Sequence, residues 1–236
     1  MFPLYITYVT QQLLCKIRFL MERTGNMPPR VKFTKEEIVE AALRVTREGG
    51  IGSLTARSLA NELGASTRPM FTYFETMEDL RHEVHEAAKG IYKGYIEAGL
   101  ENRIPFLGVG QNTIRFAREE PYLFELLFLL KPEGADGGVI EALAFSQDLV
   151  RDSIMRIYHM DAYEADCYYR NLFLVAFSFC TMTVTNDNPL SDEQMSAIFT
   201  EISLAVCKAY KEIPGLPRGD YDRDALFEAL IQTERK

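Results

Sequence analysis

Few side chains of this 236-residue chain stand at spacings that chemistry requires. Cys15, Cys167, Cys180 and Cys207 are scattered with no Cys-x-x-Cys pair, so neither a zinc site nor a redox motif is written. They read as reduced, buried thiols of a cytoplasmic protein. His82 and His85 lie three apart, on one face of a helix, and in principle suit a metal; solvated surface residues are the simpler reading. His159 does not complete a set with them. Gly108-Val109-Gly110 lacks the third glycine of a dinucleotide loop and any preceding strand. There is no Gly-x-Ser-x-Gly elbow, phosphate loop or nucleophile–base pair, so an enzyme is not expected, nor a metal or cofactor. Two arginines remain, Arg57 and Arg68, in the stretch Thr55–Phe74. They are either functional groups or surface cations with Glu62 and Glu75 as partners.

The elements that must position these residues are helical, and the fold class is all-α. Thr34 with Glu37 forms a capping box, followed by Ile38, Ala41, Ala42 and Val45 on one apolar face. Gly49, Gly50 and Gly52 stop that helix. Thr55 caps a second, short helix with Leu59, Ala60 and Leu63 inside, and Gly64 supplies a positive φ for a tight turn. Ser66 is expected to cap a third short helix, with Pro69 in its first turn and Met70, Phe71 and Phe74 on its apolar side. Thr76 with Asp79 opens a longer helix. Further helices are expected over 104–118, from Pro121, and over 139–159, 161–185 and 191–212, with a tail helix within 220–234. Two short helices joined at Gly64 make a helix-turn-helix, with Ala60 where the helices cross and Met70 plugged into the shared core.

Residues 34–84 resemble the N-terminal domain of TetR-type (tetracycline-repressor) transcriptional regulators. Ile38-Val39-Glu40-Ala41-Ala42-Leu43 is similar to that family's first helix. Leu54-Thr55-Ala56-Arg57-Ser58-Leu59-Ala60-Asn61-Glu62-Leu63-Gly64 resembles its second helix and turn. Phe71-Thr72-Tyr73-Phe74, then Glu78-Asp79-Leu80, resembles its third helix and the entry to the fourth. The resemblance implies that the third helix enters the major groove of double-stranded operator DNA with Thr67, Arg68 and Pro69 toward the base edges. Arg68 is then the candidate for guanine readout through O6 and N7. Arg57 matches a DNA-contacting position, and Thr55 and Tyr73 match phosphate contacts. Two departures matter: Phe71, itself a candidate DNA contact by the resemblance, stands where the family commonly has Tyr, and Met77 stands where it often has Lys. Fewer phosphate contacts weaken sequence-independent affinity, unless Arg30, Lys32 and Lys35 replace them.

The division expected is an N-terminal extension at 1–27, a DNA-binding domain at 28–85 and a helical ligand-binding and dimerisation domain at 86–236. Met27 is expected to be the natural start, with an extra amphipathic helix as the alternative. Phe116, Phe124, Phe128, Tyr169, Phe173 and Phe177, with polar Asn171, are candidate lining for a small-molecule effector pocket. The resemblance implies a homodimer through the last two long helices, with Leu172, Phe173, Ala176, Phe177 and Cys180 on one face and Ile198, Ile202, Ala205 and Val206 on the other. The net charge of −8 is unevenly spread. Residues 86–236 carry 24 acidic and 15 basic side chains, whereas residues 28–85 carry 9 and 8, so the DNA module is nearly neutral. The expected function is a ligand-relieved, homodimeric repressor in the cytoplasm, with no stable membrane association. The alternative is a diverged dimeric ligand-binding or interaction module with weak or no DNA binding.

Overall fold

The computed structural model describes residues 33–131, 138–185 and 189–232, which contain helices and no strand. The expectations about Met27, Cys15, Arg30 and Lys32 lie outside these residues. Helix α1 spans Lys35–Gly49 and α2 spans Ala56–Glu62. A single 3-10 turn, Met70–Thr72, follows. Then come α3, Met77–Leu100; α4, Pro105–Glu119; and α5, Pro121–Phe124, which widens into a π turn over Glu125–Leu129. The chain closes with α6, Val139–Tyr158; α7, Ala162–Val184; α8, Asp192–Glu212; and α9, Arg223–Gln232.

The helix starts are written locally. Thr34/Glu37, Thr55/Ser58, Thr76/Asp79, Asp161/Glu164 and Ser191/Gln194 each form a reciprocal capping box, so two orphan N–H groups are satisfied at each end. Pro105 and Pro121 occupy first turns, where a missing N–H costs nothing. One expected helix is absent as drawn. The segment after Gly64 forms only the 3-10 turn, and no side chain caps it, Ser66 included. Its backbone bonding begins with Thr72 N–H to Pro69 O at 3.2 Å and Tyr73 N–H to Met70 O at 3.1 Å.

α3 is the axis of the molecule. Its apolar stripe of Leu80, Val84, Ala88, Tyr92 and Ile96 is fully buried, first against α1 and then against α4. It runs unbroken through position 85, so the expected domain division falls inside one helix. Two glycines let α3 and α4 touch. A Cβ on Gly99 would lie 2.6 Å from the Val109 backbone, and one on Gly108 would lie 2.4 Å from the Gly99 carbonyl. Gly110 faces the Phe199 ring of α8 at a similar separation. Gly108-Val109-Gly110 is therefore a packing device between helices.

The aromatic residues of the larger region form its core. Phe124 stacks on Phe128 with centroids 4.4 Å apart, and Phe128 lies 6.0 Å from Phe173 and 6.3 Å from Phe177. Phe116 closes the same cluster through Tyr92 at 5.1 Å. The expected pocket lined by Phe116, Phe124, Phe128, Tyr169, Phe173 and Phe177 is thus filled by these rings themselves. The cavity beside Tyr169 and Phe173 holds only about 10 Å³, room for no organic ligand. Asn171 points elsewhere and donates to the Tyr210 hydroxyl of α8 at 3.0 Å.

Candidate nucleic-acid interface

The helix-turn-helix rests on Ile38, Leu54, Leu59, Met70, Phe74 and Leu80, all buried together. At its corner Leu63 ends α2, and Gly64 turns left-handed at φ +58°. Ala65 N–H then reaches the Ala60 carbonyl at 3.0 Å and Gly64 N–H reaches Asn61 at 3.1 Å. These two bonds make a Schellman motif, which satisfies the end of α2 and sends the chain sharply away. Ala60 is half-buried, and Gly64 takes the positive φ expected of it.

The turn then sorts its residues by side. Met70 and Phe74 point inward and are buried. Thr67, Arg68 and Phe71 are exposed, and Pro69 is half-buried at the head of the turn. Phe71 departs from the expectation that it joins Met70 and Phe74: its ring stands 50% exposed. It shares its exposure with Thr67 and Arg68 before it, whereas Met70 is buried.

The cations divide into engaged and unengaged groups. Glu62 is paired with Arg44 at 2.6 Å, so it is not the partner of Arg57. Among the described residues neither Arg57 nor Arg68 has an ion-pair partner, and both are exposed. Lys35 differs: its ammonium holds Glu83 at 2.6 Å and lies 5.7 Å from the Phe74 ring centre, which ties α1 to α3. Tyr73 donates its hydroxyl proton to the Phe33 carbonyl at 3.1 Å. Thr55 caps α2 and donates to Ser58 Oγ at 3.1 Å. Lys35, Tyr73 and Thr55 must exchange these bonds before they can hold a phosphate.

A second polar feature escaped the sequence reading. Glu78, Arg81, His82, His85, Glu86 and Lys89 form a stripe along the first turns of α3, facing a cavity of about 580 Å³. Ile51, Leu126 and Leu130 supply its apolar wall, and Lys131 and Glu141 its far rim. His85 is buried, contrary to the surface reading, whereas His82 is exposed. His85, Glu86 and Glu141 bring ligating atoms within 4.8 Å of one another. The Lys89 ammonium sits with them, 2.5 Å from Glu141 and 3.1 Å from Glu86. Burial pushes the Glu86 carboxyl up, but the hydrogen bond and charge of Lys89, helped by His85, leave it below the usual range. Burial likewise lowers Lys89, and Glu141 and Glu86 more than offset it. The i, i+3, i+4 spacing of the α3 residues was legible in the chain; Glu141, more than fifty residues on, was not.

No helix among the described residues is long and apolar enough to cross a membrane. No curated protein matches the chain. Residues 38–84 match the family model described as bacterial regulatory proteins, tetR family. The matched span opens on Ile38 and closes on Val84, so it takes in α1, α2, the Gly64 corner and the exposed turn just described. With this geometry and this match, residues 38–84 are similar to the helix-turn-helix DNA-binding domain of tetR-family bacterial regulatory proteins.

Proposed function

We propose that the chain is a homodimeric repressor of a palindromic operator, relieved by a small-molecule effector, and that it works in the cytoplasm. The observation that carries the operator reading is the pair of unengaged, exposed arginines on one compact helix-turn-helix, with Thr67 and Arg68 at the head of its second element. A dimer presents two such elements to half-sites about 34–36 Å apart, and bound there it excludes polymerase from overlapping DNA. Residues 28–85 serve as the DNA module and residues 86–236 as the effector and dimer region.

The dimer faces are revised from the sequence expectation. Leu172, Phe173, Ala176 and Cys180 are buried within their own chain and are not free to face a partner. Leu174 on α7 and Leu204 on α8 point outward, with Ala205 beside Leu204. Phe227, Leu230 and Ile231 of α9 are exposed too, Ile231 by 82%. These residues supply the apolar surface that a second copy would bury.

The effector site moves as well. The aromatic cluster is solid, whereas the α3 cavity is open and lies where α3 passes from the DNA module into the body. A ligand there that prefers a different α3 position shifts the population toward a spacing unsuited to the operator. Mobility shifts on the DNA upstream of the gene test the proposal, together with transcription from that promoter in vitro. Specific binding with reduced transcription is expected; no sequence preference, or transcription unchanged by occupancy, refutes it. The engaged states of Lys35 and Tyr73 favour a second reading, a module with weak DNA affinity. A salt slope near zero would select it.

A further inference from the structure

We propose that His85, Glu86 and Glu141 bind a divalent metal ion of the zinc class at the edge of the α3 cavity and so clamp α6 to α3. The coordination stands on these side chains; its effect on DNA rests on the reading of the cavity as the effector site given above. His85 and Glu86 come from α3, and Glu141 comes from the first turn of α6. One ligating atom of each lies within 4.8 Å of the other two. Donor atoms on one tetrahedral zinc ion stand about 3.4 Å apart, given bonds of about 2.0–2.2 Å. His85 Nδ1 is already 3.6 Å from Glu86 Oε1. The set closes around an ion with side-chain movements of roughly 1 Å.

A cation already occupies the place between the two carboxylates. The Lys89 ammonium lies 2.5 Å from Glu141 and 3.1 Å from Glu86. It reaches them on a flexible four-carbon stem, and its side chain is 20% exposed, so it can withdraw toward solvent. The buried His85 sets the cluster apart from a simple ion pair. Its Nδ1 stands beyond hydrogen-bond length from Glu86, and an imidazole nitrogen is a donor suited to zinc-class ions rather than to magnesium or calcium. All three side chains line the cavity of about 580 Å³, which leaves a fourth position for water or a ligand atom. Spacing along the chain suggested His82 as the partner of His85, but His82 is exposed and outside the set.

Calorimetric titration of the metal-free full chain with Zn²⁺, and separately with Mg²⁺, tests the site. The Co²⁺ absorption spectrum reports the donor atoms. One Zn²⁺ per chain is expected, with no heat from Mg²⁺ and no thiolate charge-transfer band from Co²⁺. Glu141→Gln keeps the side-chain shape and should weaken Zn²⁺ by at least about tenfold, the least that even an outer-shell partner contributes. Its circular dichroism should be unchanged. Lys89→Gln should tighten Zn²⁺ severalfold, because the ion then displaces no ammonium. Four results would overturn the proposal: no Zn²⁺ bound, an affinity indifferent to Glu141→Gln, a thiolate band, or weaker binding by Lys89→Gln. Mobility shifts with and without Zn²⁺ separate this proposal from the effector reading. Zn²⁺ bound through Glu141 with DNA affinity unaltered upholds the metal site and refutes the cavity as the effector site. A chain that takes no Zn²⁺ yet releases DNA to an organic ligand refutes the metal site alone.

Discussion

At the scale of single residues, the corner and the turn obey different constraints. Gly64 adopts φ +58°, and a Cβ there would meet nothing within 4 Å. The cost of Gly64→Ala is therefore backbone strain alone, about 1 kcal/mol. Urea unfolding should register that loss, and a neutral or stabilising result would contradict the left-handed corner. Gly64 was legible because only glycine takes such a φ without strain. The orientation of Phe71 was not legible: Met70-Phe71 followed by Phe74 fits an apolar helix face equally well. Only the truncated turn after Pro69 separates the inward pair from the outward ring.

At the scale of elements, start signals were legible and the interior was not. The capping boxes at Thr34, Thr55 and Thr76 lie within four residues of sequence and appear as expected. Asp79 illustrates their electrostatics. The Thr76 hydroxyl and backbone N–H both donate to its carboxylate and hold it below its ordinary value of 3.8. A depressed folded pKa means that its stabilisation is complete above the unfolded value and vanishes as pH falls through the folded one. Stability should thus decline below about pH 4, and Asp79→Asn should flatten that decline. Acid titrations followed by circular dichroism would detect it; an identical acid limb in both proteins would be contrary evidence. The aromatic residues make the opposite case. Their composition suits a pocket or a core equally well, and ring-to-ring packing from four helices decides for the core. Phe128→Ala should cost about 3–5 kcal/mol of stability. Chemical denaturation measures this, and a loss under 1 kcal/mol would revive the pocket.

At the scale of the whole molecule, charge and symmetry govern the DNA encounter. The acidic excess lies in residues 86–236 of the chain, outside the helix-turn-helix segment, so the chain's net charge of −8 does not bar DNA. Met77 opens α3 half-buried, where a lysine would face phosphate in the resemblance discussed above. Met77→Lys should raise affinity for all sequences alike and steepen the salt slope by about one ion. Anisotropy titrations over a salt series would measure the change, and an unaltered slope would remove that position from the interface. The helical class was legible from periodicity, whereas the dimer faces were not, because buried and outward apolar residues share the same 3.6 period on α7 and α8. The central claim is sequence-specific operator binding through the exposed arginines. Competition binding of wild type and Arg68→Ala to the operator and to a scrambled duplex, at one salt concentration, tests it most directly. The expected result is a wild-type preference of at least about 10³ for the operator. Arg68→Ala should lose about 1–3 kcal/mol of it, with relaxed preference at one guanine per half-site. Equal wild-type affinity for both duplexes, or a preference untouched by Arg68→Ala, would contradict it.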